Sequence, residues 1–436
     1  GKRQPRPIRL LRHTLWNVYR RLFSFVFAAN AVALIVFLCK SSDILHIDVW
    51  NLATAASANI FVATAIRQDY VQGLLYHSAW LVPQSAPLRV RRIIAKIYEN
   101  GGVHSGCGVA GTLWFLALTI ILSVQFARGV FSSKAVLGLT CILQALLLLI
   151  VVLAYPALRA KYHNHFEVTH RFAGWTVIIL FWIELGLLAN AMAQMDHTTA
   201  GLVLVKQASF WFLVLITIHA ILPWLNLRRW EFRAENLSNH AVRLHFRHSV
   251  GPYTGIAISK SPLFEWHPFA TMPSLKGEPT GGSLIVSDAG DWTKETVKNP
   301  CKYYWVKGIP KPGVLGLSLM FKRVVIVTTG SGIGPCLSII ASPYRQMACR
   351  ILWTGPKPEQ VFGPEVVNSV RRADPNAIII DSRASGRPNM VALTYRLYVD
   401  AAAEAVFVIS NPALTRKIVY SMESRGIPAF GPIWDS

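Results

Sequence analysis

Two stretches of this chain combine chemically active residue types with the spacing that local structure requires. The first is Gly330-Ser331-Gly332-Ile333-Gly334-Pro335, preceded by the apolar run VVIVT and followed by CLSIIAS. Glycines directly after a strand let the backbone close on a pyrophosphate. The helix that follows offers unpaired N–H groups and the positive end of its dipole to the same anion. The turn reads as a dinucleotide-binding element or, failing that, as an ordinary tight turn. The second stretch is Glu265-Trp266-His267-Pro268-Phe269-Ala270, answered further on by Gly290-Asp291-Trp292-Thr293. An imidazole among aromatic rings suits the face of a flat cofactor, and it equally suits a packed corner of a β domain.

Such groups need a scaffold, and the texture of the sequence from about Leu227 onward supplies one. Asp and Glu rise from 9 in residues 1–235 to 13 in residues 236–436, and hydrophobic runs shorten to strand length, which marks a domain boundary. Residues 241–300 contain VRLHF, GIAISK and SLIVSD between turns, the pattern of a small antiparallel barrel or sandwich. Val324–Thr328, Arg350–Trp353, Ala377–Ile380 and Ala405–Ile409 alternate with helical stretches and predict a parallel sheet in an α/β domain. The expected division is a β-barrel domain over 227–320 and an α/β domain over 321–436.

Upstream the chain is of another kind. Hydrophobic residues make up 53% of the whole and charged residues 15%, against about 25% in soluble globular proteins, which argues against an all-soluble protein. Apolar runs of membrane-spanning length fall at Leu22–Cys39, Trp50–Ile66, Gly108–Phe126, Ala135–Tyr155, Phe172–Ala193 and Gln207–Leu225, the second being the weakest. If the N-terminus is cytoplasmic, the inside segments carry 18 Lys and Arg and the outside segments only 4 (Lys40, Arg128, Lys134 and Lys206), as the positive-inside rule requires. The expectation is an integral membrane protein with a basic cytoplasmic segment (1–21), a six-helix transmembrane domain (22–226) in contact with lipid, and both termini in the cytoplasm. Residues 87–100, with Arg89, Arg91, Arg92 and Lys96 beside Ile93, Ile94, Ile97 and Tyr98, suit a short interfacial helix or a solvated loop. This topology accounts for most of the net charge of +22, and no nucleic-acid partner is needed. The six cysteines form no CxxC pair, so neither a zinc motif nor a disulfide scaffold is indicated. The chain begins at Gly1 rather than Met, as a piece of something longer would, and no cleavable signal peptide is visible.

Six spans, a barrel carrying EWHPFA and GDWT, and an α/β domain opening with TTGSGIGP together resemble the ferric reductase and NADPH oxidase superfamily. The C-terminal third is closer still to fungal TmpA-like integral membrane flavoproteins and to membrane segments fused to adenylate-forming, peptide-synthetase-like enzymes. ILWTGPKPEQVFGPEV, DSRASGRPNMVALTYRLY and AEAVFVISNPALTRKIVYSMESRGIPAFGPIWDS carry that likeness. The resemblance implies a six-helix bundle joined to a ferredoxin-reductase-like module of β-barrel and α/β domain. It further implies FAD on His267, Pro268, Phe269, Ala270, Gly290, Asp291, Trp292 and Thr293, and NADPH on Gly330–Pro335. The expected activity is a membrane flavoprotein oxidoreductase passing electrons from NADPH through FAD to an unknown acceptor on the inner or cytoplasmic side, with a fused or partner adenylate-forming enzyme.

Departures from the family pattern bear on the chemistry. The usual Cys-Gly-Pro near the last strand, which helps place the nicotinamide, reads Ile409-Ser410-Asn411-Pro412, and Trp434 lies where relatives stack an aromatic on the flavin, which makes Ser410, Asn411 and Trp434 the catalytic candidates. Lys357, Arg383 and Arg387 suit a 2′-phosphate, or are surface charge. Relatives hold two haems between the third and fifth helices. His104 and His170 supply one such pair, but about 20 Å further along the helices stand Ala117, Leu118, Ile183 and Glu184, none a haem ligand. At most one haem b is expected, the alternative being two polar residues at an interface. Glu184, an ionisable group inside a span, marks a substrate pocket or an interhelical hydrogen bond. Two other readings stand beside the first: a ferric-chelate reductase or superoxide-generating oxidase, against which the histidine spacing speaks, and a catalytically decayed flavin-binding protein acting in signalling or assembly.

Overall fold

The parallel sheet expected at the C-terminal end forms around the strand Arg323–Thr329. The computed structural model describes residues 5–41, 43–274, 281–342 and 347–433. Strands β1 (Arg228–Glu231), β2 (Arg233–Asn236), β3 (Ala241–Phe246), β4 (Thr254–Ser259), β5 (His267–Ala270), β6 (Met272–Pro273), β7 (Gly282–Ser287) and β8 (Tyr303–Pro312) make two four-stranded antiparallel sheets, ordered β1-β8-β4-β5 and β2-β3-β7-β6. Val242, Leu244, Ile258, Leu284, Val286 and Tyr304 fill their core. Next come β9 (Arg323–Thr329), β10 (Ala348–Gly355), β11 (Ile378–Asp381), β12 (Ala405–Ile409) and β13 (Ala429–Phe430), a parallel sheet ordered β11-β10-β9-β12-β13. Both faces of β9 are buried: Val324 and Ile326 share a cluster with Ile339 and Val370, while Val325 and Val327 share one with Leu397 and Ile418. A central parallel strand covered by helices on both faces reads as an unbroken apolar run for this reason.

The chain divides into two compact units. The helical unit comprises 18–68 and 100–222. Val18–Lys40, Gly101–Ala127, Lys134–Leu153, His163–Met195 and Ala208–Leu225 are long and apolar enough to cross a membrane, whereas Val49–Ala65 qualifies only when joined to Asp69–Trp80 across a break. Phe25 is 74% exposed and Ile35, Ile142 and Ile179 also face outward, a surface that water does not favour. Inside, Gly102 and Gly106 form a GxxxG face on helix Gly101–Ala127. A Cβ at Gly102 would stand 2.1 Å from the Tyr19 carbonyl oxygen, so only glycine lets the first helix approach this closely. Asn30 Oδ1 accepts from Asn59 Nδ2 at 2.8 Å and from Trp114 Nε1 at 3.0 Å, linking three helices.

Asp69–Glu99 does not belong to the helical unit as a 22–226 domain would have it. It groups with the unit that runs on from Pro223, as do residues 5–17. Trp80 Nε1 donates to Gly316 O at 3.0 Å and Gln84 Nε2 to Leu319 O at 2.9 Å. Of the two readings of 87–100, a short helix and a solvated loop, the helix is what forms. Leu88–Ile94 is α-helix and Ala95–Glu99 a 3₁₀ turn, and their cations meet carboxylates of the α/β domain. Arg91 is buried and bonds both oxygens of Glu404, and Arg92 and Lys96 pair with Glu423. A cation in so closed a place needs a fixed counter-charge, which lipid headgroups would not provide.

Candidate functional site

Strand order decides where a ligand can sit on such a sheet. From β9 the chain steps outward through β10 and β11, then returns to add β12 on the other side of β9. The carboxyl ends of β9 and β12 therefore flank a topological switch point, the place where open α/β sheets bind ligands. The Gly330–Gly332 turn leaves β9 and leads into helix Ile333–Ile340, which contains Gly334 and Pro335; Ser410 and Asn411 leave β12. A Cβ at Gly332 would lie 2.5 Å from the Ile409 carbonyl oxygen and 2.7 Å from Thr328 Oγ1, so the turn packs directly on β12. Gly330 has φ +50°, with nothing within 4 Å of where its Cβ would stand. One glycine is needed for packing and another for backbone conformation, which leaves open space over the turn for an anion. The Thr329 and Ser410 hydroxyls are hydrogen-bonded to each other, and Trp353 Nε1 donates to Gly330 O at 3.2 Å.

Asn411, expected near the nicotinamide, caps helix Pro412–Glu423: its Oδ1 accepts the Leu414 N–H at 3.0 Å. That oxygen is therefore committed to the helix, and Ser410 is the candidate whose side chain lies at the switch point. Trp434 lies outside the described residues.

The next two strand ends carry the basic candidates. Asp381, the last residue of β11, accepts from the backbone N–H of Lys357 at 2.9 Å and of Arg383 at 2.8 Å. These two bonds, Lys357's first, hold its carboxyl below the usual range. Lys357 sits in the left-handed region at φ +43° to make that contact. Lys357 and Arg383 are thus drawn to one carboxylate and both are exposed, while Arg387 is exposed further along the same loop. Nothing in the one-dimensional pattern marked Asp381 as their organiser; an acidic residue closing an apolar run was the signal available.

The two aromatic motifs meet in the barrel. His267 stacks on Trp292 with ring centroids 4.1 Å apart and planes 27° apart, and Phe269 lies 6.1 Å from the same indole. Pro268 and Ala270 belong to β5, and Glu265 pairs with His267 at 3.2 Å. Gly290, Asp291 and Thr293 start helix Asp291–Lys298: Thr293 Oγ1 donates to Gly290 O at 2.9 Å and accepts the Ala289 N–H at 2.9 Å. GDWT thus has a structural part, the helix start, and a part that reaches the aromatic face, Trp292.

In the helical unit His104 lies within helix Gly101–Ala127, and its ring centroid is 6.2 Å from that of His170. His104 Nδ1 bonds the Ala63 carbonyl oxygen at 2.8 Å, which leaves Nε2 as the acceptor nitrogen, and His170 Nδ1 is buried without a partner among the described residues. No group of three or more His, Cys, Asp or Glu able to hold a metal occurs among the described residues.

Comparison with known proteins is informative along the full length. Residues 314–436 match the family model for the C-terminal domain of adenylate-forming reductase 03009. Adenylate-forming reductase 06235 of Coprinopsis cinerea is 45% identical over 437 residues, and adenylate-forming reductase 03009 of the same organism is 43% identical over 436. The chain is similar throughout to fungal adenylate-forming reductases. All of it is covered in both comparisons, but it spans only 42% of each relative's length. Among solved structures, a ferredoxin NADP+ reductase from Neisseria gonorrhoeae with bound FAD and NADP aligns with 47% of this chain and 98% of its own, at 11% identity and a TM-score of 0.37. The ferredoxin-NADP+ reductase of Plasmodium falciparum aligns with 48% of this chain and 97% of its own, at 13% identity and a TM-score of 0.37.

Proposed function

We propose that this chain is an NAD(P)H-dependent flavin oxidoreductase held in a membrane by its helical unit, with both termini cytoplasmic. We read it as working beside an adenylate-forming part in longer proteins of the relatives' kind. One observation carries the reading: the Gly330–Pro335 turn and Ser410 leave the carboxyl ends of β9 and β12 at the switch point, and Lys357 and Arg383 follow the carboxyl ends of β10 and β11 along the same edge of the sheet. A pyrophosphate suits the turn, and a 2′-phosphate suits Lys357 and Arg383, which favours NADPH. The stacked His267–Trp292 pair with Phe269 offers FAD an aromatic wall. When bound, that flavin supplies the acceptor for a hydride, and Ser410, tied to Thr329, is the side chain on hand to orient the nicotinamide. The His104–His170 pair suits a single haem b, whose ligand tautomer His104 is already set to provide. The final acceptor lies on the cytoplasmic or inner-membrane side, and the exposed apolar girdle of the helical unit supports lipid contact.

The test is the absorption spectrum of the purified chain reconstituted with FAD, before and after anaerobic addition of NADPH. Flavin bands that bleach support the reading, and absence of flavin binding overturns it. A Soret band lost in His104→Ala or His170→Ala supports the haem, while no Soret band in wild type prepared with added haem removes it.

A further inference from the structure

The chain just before the first apolar helix, Val18–Lys40, has structure of its own. Arg6–Leu10 is helical and runs on into a wider helical turn, Leu11–Leu15. Both group with the unit that holds the α/β domain. One side of the segment turns to that domain: His13 lies 3.9 Å from Glu423 on helix Pro412–Glu423, and Arg9, one turn earlier, is buried. On the other side Ile8, Leu11 and Leu15 are 49%, 49% and 58% exposed, and Leu10 and Trp16 are exposed too. Residues 1–21 carry seven Lys and Arg, of which Arg6 and Arg12 are exposed on the same segment, and the first acidic residue of the chain is Asp43. Positive charge next to a span follows from topology alone. Five exposed large apolar side chains within nine residues do not, because water disfavours such a patch.

We propose that this segment lies on an anionic lipid surface, with Ile8, Leu11 and Leu15 at the acyl boundary and Arg6 and Arg12 among acidic headgroups. Basic helices with an apolar face settle at that boundary, drawn by apolar burial and by attraction to anionic lipid together. Arginine stems are long enough to keep the guanidinium at the headgroups while their methylenes follow the leucines inward. A protein partner would have to bring acidic groups and an apolar groove at once. Lipid is close by chain connection, since only Trp16 and Asn17 separate Leu15 from Val18–Lys40, which is long and apolar enough to cross a membrane. This placement rests on the helical unit being held in a membrane.

The experiment uses the whole chain, with its accessible cysteines removed as Cys39→Ala, Cys141→Ala and Cys301→Ala. It is placed in nanodiscs of phosphatidylcholine alone, or with about one part in three of phosphatidylserine. A nitroxide on Leu11→Cys reports the segment, and one on Ile179→Cys, an exposed position of the helical unit, reports the membrane. Each is read by its collision rates with oxygen, which concentrates in lipid, and with a nickel chelate, which stays in water. The expected result is an oxygen-to-nickel ratio at position 11 at least twofold higher with phosphatidylserine than without. Arg6→Gln with Arg12→Gln, or high salt, should return it to the neutral-lipid level. A ratio at position 11 typical of water in both lipids, one raised equally in both, or protection from both reagents as under a protein partner would each overturn the proposal while position 179 still reports lipid. Water at position 179 would overturn the membrane reading as well. The lipid comparison needs no charge variant, so the test stands even if those two arginines also serve the fold.

Discussion

Arg91 and Glu404, 313 residues apart, form a two-point ion pair: Nη1 donates to Oε2 at 2.8 Å and Nη2 to Oε1 at 3.0 Å. Arg91 also donates to the carbonyl oxygens of Met320 and Ala86, and Glu404 accepts the Lys322 N–H at 2.7 Å. The short helix Leu88–Ile94 is thereby pinned to the segments that open β9 and β12. The two partners differ in burial, since the Arg91 side chain is 4% exposed and that of Glu404 19%.

That asymmetry sets the first prediction. Glu404→Ala strands a buried guanidinium and should cost about 3 kcal/mol, the lower end for breaking a buried pair. Arg91→Met leaves a carboxylate that reaches water and should cost clearly less. Chemical denaturation of the two variants checks the order, and equal losses would mean the pair acts through packing alone.

Acid stability should report on Glu423. Burial alone would raise its pKa, but Lys96 and Arg92 outweigh that and hold the carboxyl below its ordinary value. Glu404 is lowered too, first by its hydrogen bonds with Arg91. A lowered folded pKa contributes stability that is fully present above the unfolded value, roughly pH 4.3, and is lost as pH falls through the folded one. Melting temperature should hold from neutrality down to that point and then drop. Glu423→Gln should lower it at neutral pH and flatten the acid limb, whereas an unchanged limb would show that the carboxylate is not the titrating group.

The two glycines of the turn should respond differently. Gly332→Ala pushes a methyl into the Ile409 carbonyl oxygen, so NADPH affinity should fall at least tenfold with flavin content kept. Gly330→Ala meets no protein atom and only the left-handed strain of about 1–2 kcal/mol, but its methyl enters the space left for the anion, so it too should weaken NADPH while disturbing the packing on β12 less. Titration calorimetry with NADPH and the melting temperature together distinguish them.

Cofactor preference should sit on the Asp381 loops. Lys357→Ala with Arg383→Ala removes two charge-assisted contacts of about 1.5–3 kcal/mol each, so KM for NADPH should rise at least tenfold while KM for NADH stays put. Asp381→Asn, which loosens both backbone anchors, should narrow the same ratio. Steady-state kinetics with the two nucleotides measure it, and parallel losses for both would place the phosphate contact elsewhere.

Much of the candidate site was legible locally. The apolar run of β9, the glycines after it and the helix after those are consecutive, and each depends on near neighbours. His267 and Trp292 were also visible as residue types, though not as partners. The short helix within 87–100 was visible, but its partners Glu404 and Glu423 were not, because cations beside isoleucines look the same whether they face headgroups or distant carboxylates.

The chain by itself determined the change from long apolar helices to strand-length runs near Leu227, the parallel-sheet run Val324–Val327 and the glycine turn. Periodicity and turn conformation are set within a few residues. Only the tertiary structure decided that β12 returns beside β9, so that Ser410 meets Thr329, that Asp381 gathers Lys357 and Arg383, and that Arg91 answers Glu404. Those relations come from strand order and from burial of charge, which exist only once long loops have closed.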